Sequence, residues 1–150
     1  MSEFQVVVCE LGGERYGLDI GSVYEIIRFQ PITAVPAAPA FVQGIINLRG
    51  RIIPVVDLAS RFGLPTAETT KASRIIVAGT AGTRVGLIVD GVSEVLMVPE
   101  DAVESTPDVV AGTDSAYIRG VAKLADDLVI LLELDALFGD SDRERLAAAA

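Results

Sequence analysis

Two stretches of this chain lie over one another without a gap. GIINLRGRIIPVVDLASRFG (44–63) matches GVAKLADDLVILLELDALFG (120–139). Gly44, Leu48, Leu58, Phe62 and Gly63 recur as Gly120, Leu124, Leu134, Phe138 and Gly139. Most positions between them exchange one aliphatic residue for another, as in Ile53 over Val129 and Val56 over Leu132. An earlier pair agrees, GLDIGSVYEI (17–26) over GLIVDGVSEV (86–95), where Gly17, Leu18, Val23 and Glu25 recur as Gly86, Leu87, Val92 and Glu94. One structural unit is therefore used twice.

Each copy holds about five short runs of β character separated by turn residues. In the first they are Gln5–Leu11, Arg15–Ile20, Val23–Phe29, Phe41–Leu48 and Arg51–Asp57. In the second they are Ser73–Ala78, Thr83–Val89, Glu94–Val98, Ala116–Leu124 and Leu128–Leu134, with the acidic stretch Glu100–Ser115 read as loop. LASRFG (58–63) and DALFG (135–139) suit short helical turns. At the end, Ser141 as N-cap and four closing alanines fit a short helix, and a frayed terminus fits equally. A unit of five short strands is most easily satisfied by a small closed barrel, which leaves few exposed edges. The expected organisation is a first barrel repeat over 1–66, a second over 67–140 and a tail over 141–150, with terminal strands free to cross between barrels. Two thin cores should pack on each other, leaving a groove where they meet.

Composition removes whole classes of function. With no histidine and a single cysteine among 150 residues, neither His-activated nucleophiles nor imidazole or thiolate metal sites can be built. No metal, cofactor or catalytic residue is expected, and AGTAGTR (78–84) lacks the ending of a phosphate-binding loop. A net charge of −9 and 5% aromatic residues argue against nucleic acid and against anionic membrane surfaces. Cys9, inside an apolar run, reads as a small buried hydrophobe. The start lacks a secretory signal and no run is long enough to span a bilayer, so a cytoplasmic protein is expected.

The repeat is also a control. Positions shared by both copies are explained by the fold, Gly44 and Gly120 as backbone requirements, where a side chain does not fit or φ is positive. Opposite Asn47-Leu48-Arg49-Gly50-Arg51 the second copy has Lys123-Leu124-Ala125-Asp126-Asp127, so the architecture does not require the basic turn. Pro54 stands opposite Ile130, which predicts an edge or a bulge there. Asp57 recurs as Glu133, which favours a turn or capping role over acid–base chemistry.

At these residues the sequence resembles the CheW family of chemotaxis coupling proteins. The likeness runs from about Phe4 to Phe138 through four segments in order: FQVVVCELGGERYGLDIGSVYEIIR, PAFVQGIINLRGRIIPVVDL, VGLIVDGVSEVLMV and YIRGVAKLADDLVILLELDALF. It implies an all-β fold of two five-stranded SH3-like barrels side by side, and no catalysis. It implies an adaptor that bridges the cytoplasmic hairpin of chemoreceptors to the regulatory domain of the histidine kinase CheA, recruited to membrane-associated arrays in which it also self-associates. Carried over position by position, the receptor side comprises Val23, Glu25, Gly44 and Arg49, with Ile46 and Asn47 beside them; the kinase-facing residues are unassigned. Val23 and Ile46 would offer apolar surface to the receptor helix, and Glu25 could pair with Arg49. Gln43 departs from the basic residue common in relatives. Related adaptors serve pilus-motility and gene-regulation pathways, and a different class, a carboxylate-using hydrolase or ligand-binding barrel built on Asp19 and Asp57, is the competing reading.

Overall fold

A computed structural model describes residues 2–36, 42–62, 64, 68–80, 82–104, 118–124 and 127–137. In chain order the strands are β1 (Glu3–Leu11), β2 (Glu14–Asp19), β3 (Val23–Arg28), β4 (Val42–Leu48), β5 (Arg51–Asp57), β6 (Arg74–Thr80), β7 (Thr83–Val89), β8 (Gly91–Pro99), β9 (Val103–Glu104), β10 (Ile118–Leu124) and β11 (Asp127–Leu132). Two one-turn helices, α1 (Leu58–Arg61) and α2 (Leu134–Leu137), follow β5 and β11. The last predicted strand therefore stops at Leu132, and Leu134 opens a helix instead. The predicted loop after Pro99 begins with a 3₁₀ turn, Glu100–Ala102, and the short strand β9. The remainder of that stretch and the 141–150 tail lie outside the described residues.

The strands form two sheets, ordered β8-β1-β2-β11-β10-β9 and β3-β6-β7-β5-β4. Both curl closed. In the first, β9 continues β8 after a single turn and pairs with β10 on the far edge. In the second, the chain leaving β3 exchanges two backbone hydrogen bonds between Thr33 and Ile45 of β4, at 2.9 and 2.8 Å. These are the two SH3-like barrels.

The boundary at 66/67 between the sequence repeats is not a boundary between sheets. Hairpin β1–β2 belongs to the first repeat, yet it sits between β8 and β11 of the second. Reciprocally, β6–β7 of the second repeat fills the space between β3 and β5 of the first. The repeats exchange their opening hairpins, and parallel pairs seal both exchanges: β2 with β11 through Tyr16↔Ile130, and β7 with β5 through Gly86↔Val55.

Side-chain alternation explains why the inserted strands are apolar without interruption. In β1, Val6 and Val8 point into the six-stranded barrel, while Val7, Cys9 and Leu11 point into a layer between the barrels. In β6, Ile75 and Val77 fill the five-stranded barrel, and Ile76 and Ala78 face the same intervening layer. Strands buried on both faces lose the polar alternation expected of half-exposed ones. Cys9 is fully buried, and burial pushes its thiol from 9.0 up to about 12.

Pro54 is not at an edge, because β5 lies between β4 and β7. It is tolerated for a local reason. Its β4 neighbour Ile45 turns both backbone groups toward Thr33, and pairing with β7 begins only at Val55. No ladder partner asks for the N–H that proline lacks.

Two outcomes follow from this topology. Fragments 1–66 and 67–150, produced separately, are each expected to lack a cooperative thermal transition, and mixing them should restore one; cooperative melting of either half alone would contradict the exchange. Cys9 is expected to resist thiol reagents at pH 8 in native buffer and to react on unfolding, since only the thiolate is nucleophilic. Labelling within seconds in native buffer would show that the layer between the barrels opens.

Candidate functional site

The two residues joining β4 to β5 are Arg49 and Gly50, with φ of 52° and 84°. Two successive positive φ angles define the tight hairpin turn whose twist matches its strands. Glycine suits the second position. Arginine at the first is unusual, and among the described residues no other non-glycine has positive φ. A side chain there costs on the order of 1–2 kcal/mol. Asn47 steadies the turn, its Oδ1 accepting from the Gly50 N–H at 2.9 Å.

Arg49 reaches across the barrel seam to Glu25 on β3. Its Nη2 donates to Oε1 at 2.6 Å, and its Nη1 donates to Oε1 at 2.9 Å and Oε2 at 3.1 Å. β3 and β4 are opposite edges of the open sheet order, so this fork bridges the closure of the barrel. The arginine side chain is nonetheless 67% exposed and the glutamate 29%. A pair so wet stabilises by about 0–1 kcal/mol. The strain is at least as large as what the pair returns, so the pair is not there for the sake of stability. What the arrangement provides is a guanidinium held in one place with solvent-facing donors.

The remaining expected residues divide. Val23 is half-buried on the layer between the barrels. Gly44 is buried and structural, because a Cβ there would stand 2.2 Å from the Thr33 carbonyl oxygen whose bonds to Ile45 close the barrel. Its counterpart Gly120 meets the Glu104 carbonyl in the same way, at 2.9 Å. Ile46 is corrected: at 3% exposure it points into the five-stranded barrel with Ile53, Val55, Ile75 and Val77 and offers no surface to a partner. The carboxylates of the competing enzyme reading are both caps. Asp19 accepts from the Gly21 N–H at 2.8 Å, and buried Asp57 accepts from the Ala59 N–H at 3.2 Å to open α1. Sequence reasoning missed Arg84 and Tyr24. Arg84 lines the same shallow hollow as Glu25 and Arg49, of about 190 Å³, and its guanidinium carbon lies 4.1 Å from the Tyr24 ring centroid. Extending the second repeat alignment by two residues, so that Arg84 lies over Arg15, would have raised Arg84 as a candidate.

Residues 5–142 match the family model for the CheW-like domain. The chain belongs to the CheW-like family. It is 37% identical over 140 residues to the chemotaxis protein CheW of Rhizobium meliloti, covering 93% of this chain and 90% of that one. With the chemotaxis protein CheW of Treponema pallidum it shares 35% over 149 residues, covering 97% and 88%. The crystal structure of the scaffolding protein TtCheW from Thermoanaerobacter tengcongensis matches with a TM-score of 0.84 at 44% identity, over 91% of this chain and 93% of that chain. CheW-like chains form a scaffold and adaptor family, and the all-β pair of SH3-like barrels is the architecture shared with that neighbour.

Replacing Arg49 by Asn, which tolerates positive φ, is expected to leave the melting temperature unchanged or raise it, and a cycle with Glu25→Gln should give a coupling below about 1 kcal/mol. A loss of several degrees in Arg49→Asn would show that the pair outweighs the strain. Gly44→Ala should destabilise by about 1–3 kcal/mol through overpacking against Thr33, measured by urea unfolding.

Proposed function

We propose that this chain is a non-catalytic adaptor that couples the cytoplasmic tips of chemoreceptors to the histidine kinase CheA. Its receptor contact centres on Glu25 and Arg49, with Val23 beside them at the meeting of the two barrels. The observation that carries this reading is energetic. Arg49 occupies a strained turn position with no stability gain to explain it, and the second repeat dispenses with it, having Ala125 there. A preorganised guanidinium forms charge-assisted bonds to carboxylates or helix-end carbonyls without first losing side-chain freedom. Asn47 shapes the same turn, and Gly44 acts on it through the Thr33–Ile45 bridge. Family membership and the scaffolding neighbour support the adaptor role. Recruitment to receptor arrays and self-association within them belong to the same proposal.

Calorimetry with a soluble chemoreceptor cytoplasmic fragment from the same organism tests it. Wild type should bind, and Arg49→Ala should remain folded and lose at least about tenfold in affinity. Equal binding by both would move the receptor site elsewhere on the surface. Binding to the kinase regulatory domain but not to any receptor fragment would mark an adaptor for other inputs.

A further inference from the structure

The two barrels solve the same corner in opposite ways. In the six-stranded barrel, Arg15 on β2 donates to Glu94 at 2.7 Å and to Asp127 at 2.9 Å, so one guanidinium is held between two carboxylates. The repeat places Arg84 over Arg15, Glu25 over Glu94 and Arg51 over Asp127. In the five-stranded barrel both of Arg84's expected partners are gone. Glu25 is taken by Arg49, and the second carboxylate has become an arginine. The corner carries three guanidiniums and one carboxylate, in a protein of net charge −9. Among the described residues no carboxylate lies within ion-pair reach of Arg84 or Arg51.

Arg84 is held all the same. A β-bulge in β3 makes Tyr24 the extra residue between Val23 and Glu25, and the equivalent bulge in β8 carries Ser93. The bulge turns the Tyr24 ring onto Gly79, where a Cβ would come within 2.7 Å of it. The Arg84 guanidinium lies over this ring, and Tyr24 is 57% exposed. This contact gives the guanidinium a π face and leaves its N–H groups without a hydrogen-bond acceptor among the described residues, so they are able to receive a carboxylate.

We propose that this corner is a docking surface for an acidic protein segment. Its carboxylates do for Arg84 what Glu94 and Asp127 do for Arg15, and also bond to Arg51, with Tyr24 as the apolar contact beside them. The inference extends the proposed receptor contact along the same rim, and rests on that reading only for which partner supplies the segment.

The test separates the two. A Glu-bearing helical peptide and a receptor cytoplasmic fragment are each titrated into labelled protein and followed by amide chemical shifts, with wild type, Arg84→Ala and Arg51→Asp. Arg51→Asp installs the arrangement of the other barrel, so it should stay folded with an equal or higher melting temperature. Peptide-induced shifts should centre on residues 24, 51 and 84, and both variants should weaken binding at least about tenfold, as for loss of one charge-assisted hydrogen-bonded pair. Shifts centred elsewhere, or affinity unchanged in Arg51→Asp, overturn the proposal. An oligonucleotide of equal charge binding as tightly would overturn the choice of a protein segment. If the peptide maps to this corner while no receptor fragment binds, the docking surface stands and the receptor reading fails. If the fragment binds regardless of both variants, the receptor reading stands and this inference fails.

Discussion

Strands β1 and β6 bury both faces, and the rest of the molecule is arranged around that fact. Each supplies one row of side chains to a barrel interior and the other to the layer between barrels. Val7, Cys9, Leu18, Ile76, Ala78 and Leu87 meet in that layer with no solvent face left over. Burying one aliphatic side chain of this size contributes on the order of 1.5–3 kcal/mol. Neither barrel can keep its interior without the hairpin that also builds the layer, so the barrels and their mutual packing form as one unit.

That apolar framework explains why the corners are free to differ. An exposed ion pair contributes at most about 1 kcal/mol, a small fraction of what the shared core supplies. The arrangement of Arg15 between Glu94 and Asp127 and the arrangement of Arg49 on Glu25 are two alternatives that the same frame carries. One corner meets its single guanidinium with two carboxylates, and the other is left basic and preorganised. Even Pro54 fits this account, because it occupies a position where neither neighbouring strand uses its nitrogen.

Much of the fold was legible beforehand because burial leaves a period in the sequence. The gapless match of 44–63 over 120–139 shows the duplication, and the recurrence of Gly44 as Gly120 marks a backbone contact that the structure places against Thr33 and Glu104. Asp57 was readable as a cap because its counterpart is another carboxylate at the start of another short helix. The errors share a cause. Ile46 was placed on the receptor side because it neighbours the positions carried over from the resemblance, and nearness in sequence does not say whether a strand residue points outward or into the barrel. Pro54 was expected at an edge or a bulge, and it lies at neither, because strand order and register are long-range properties.

The sequence by itself determined that this is an all-β chain of two like units, with a basic turn at Arg49 that the second unit does without. These are local matters of periodicity, turn chemistry and substitution between copies. Only the tertiary structure decided that the units trade hairpins, that Glu25 reaches Arg49 across a barrel seam, and that Arg84 lies over Tyr24 with no carboxylate partner among the described residues. Each of those depends on which strand edges meet, and that is settled by the shared burial of apolar rows far apart in the chain.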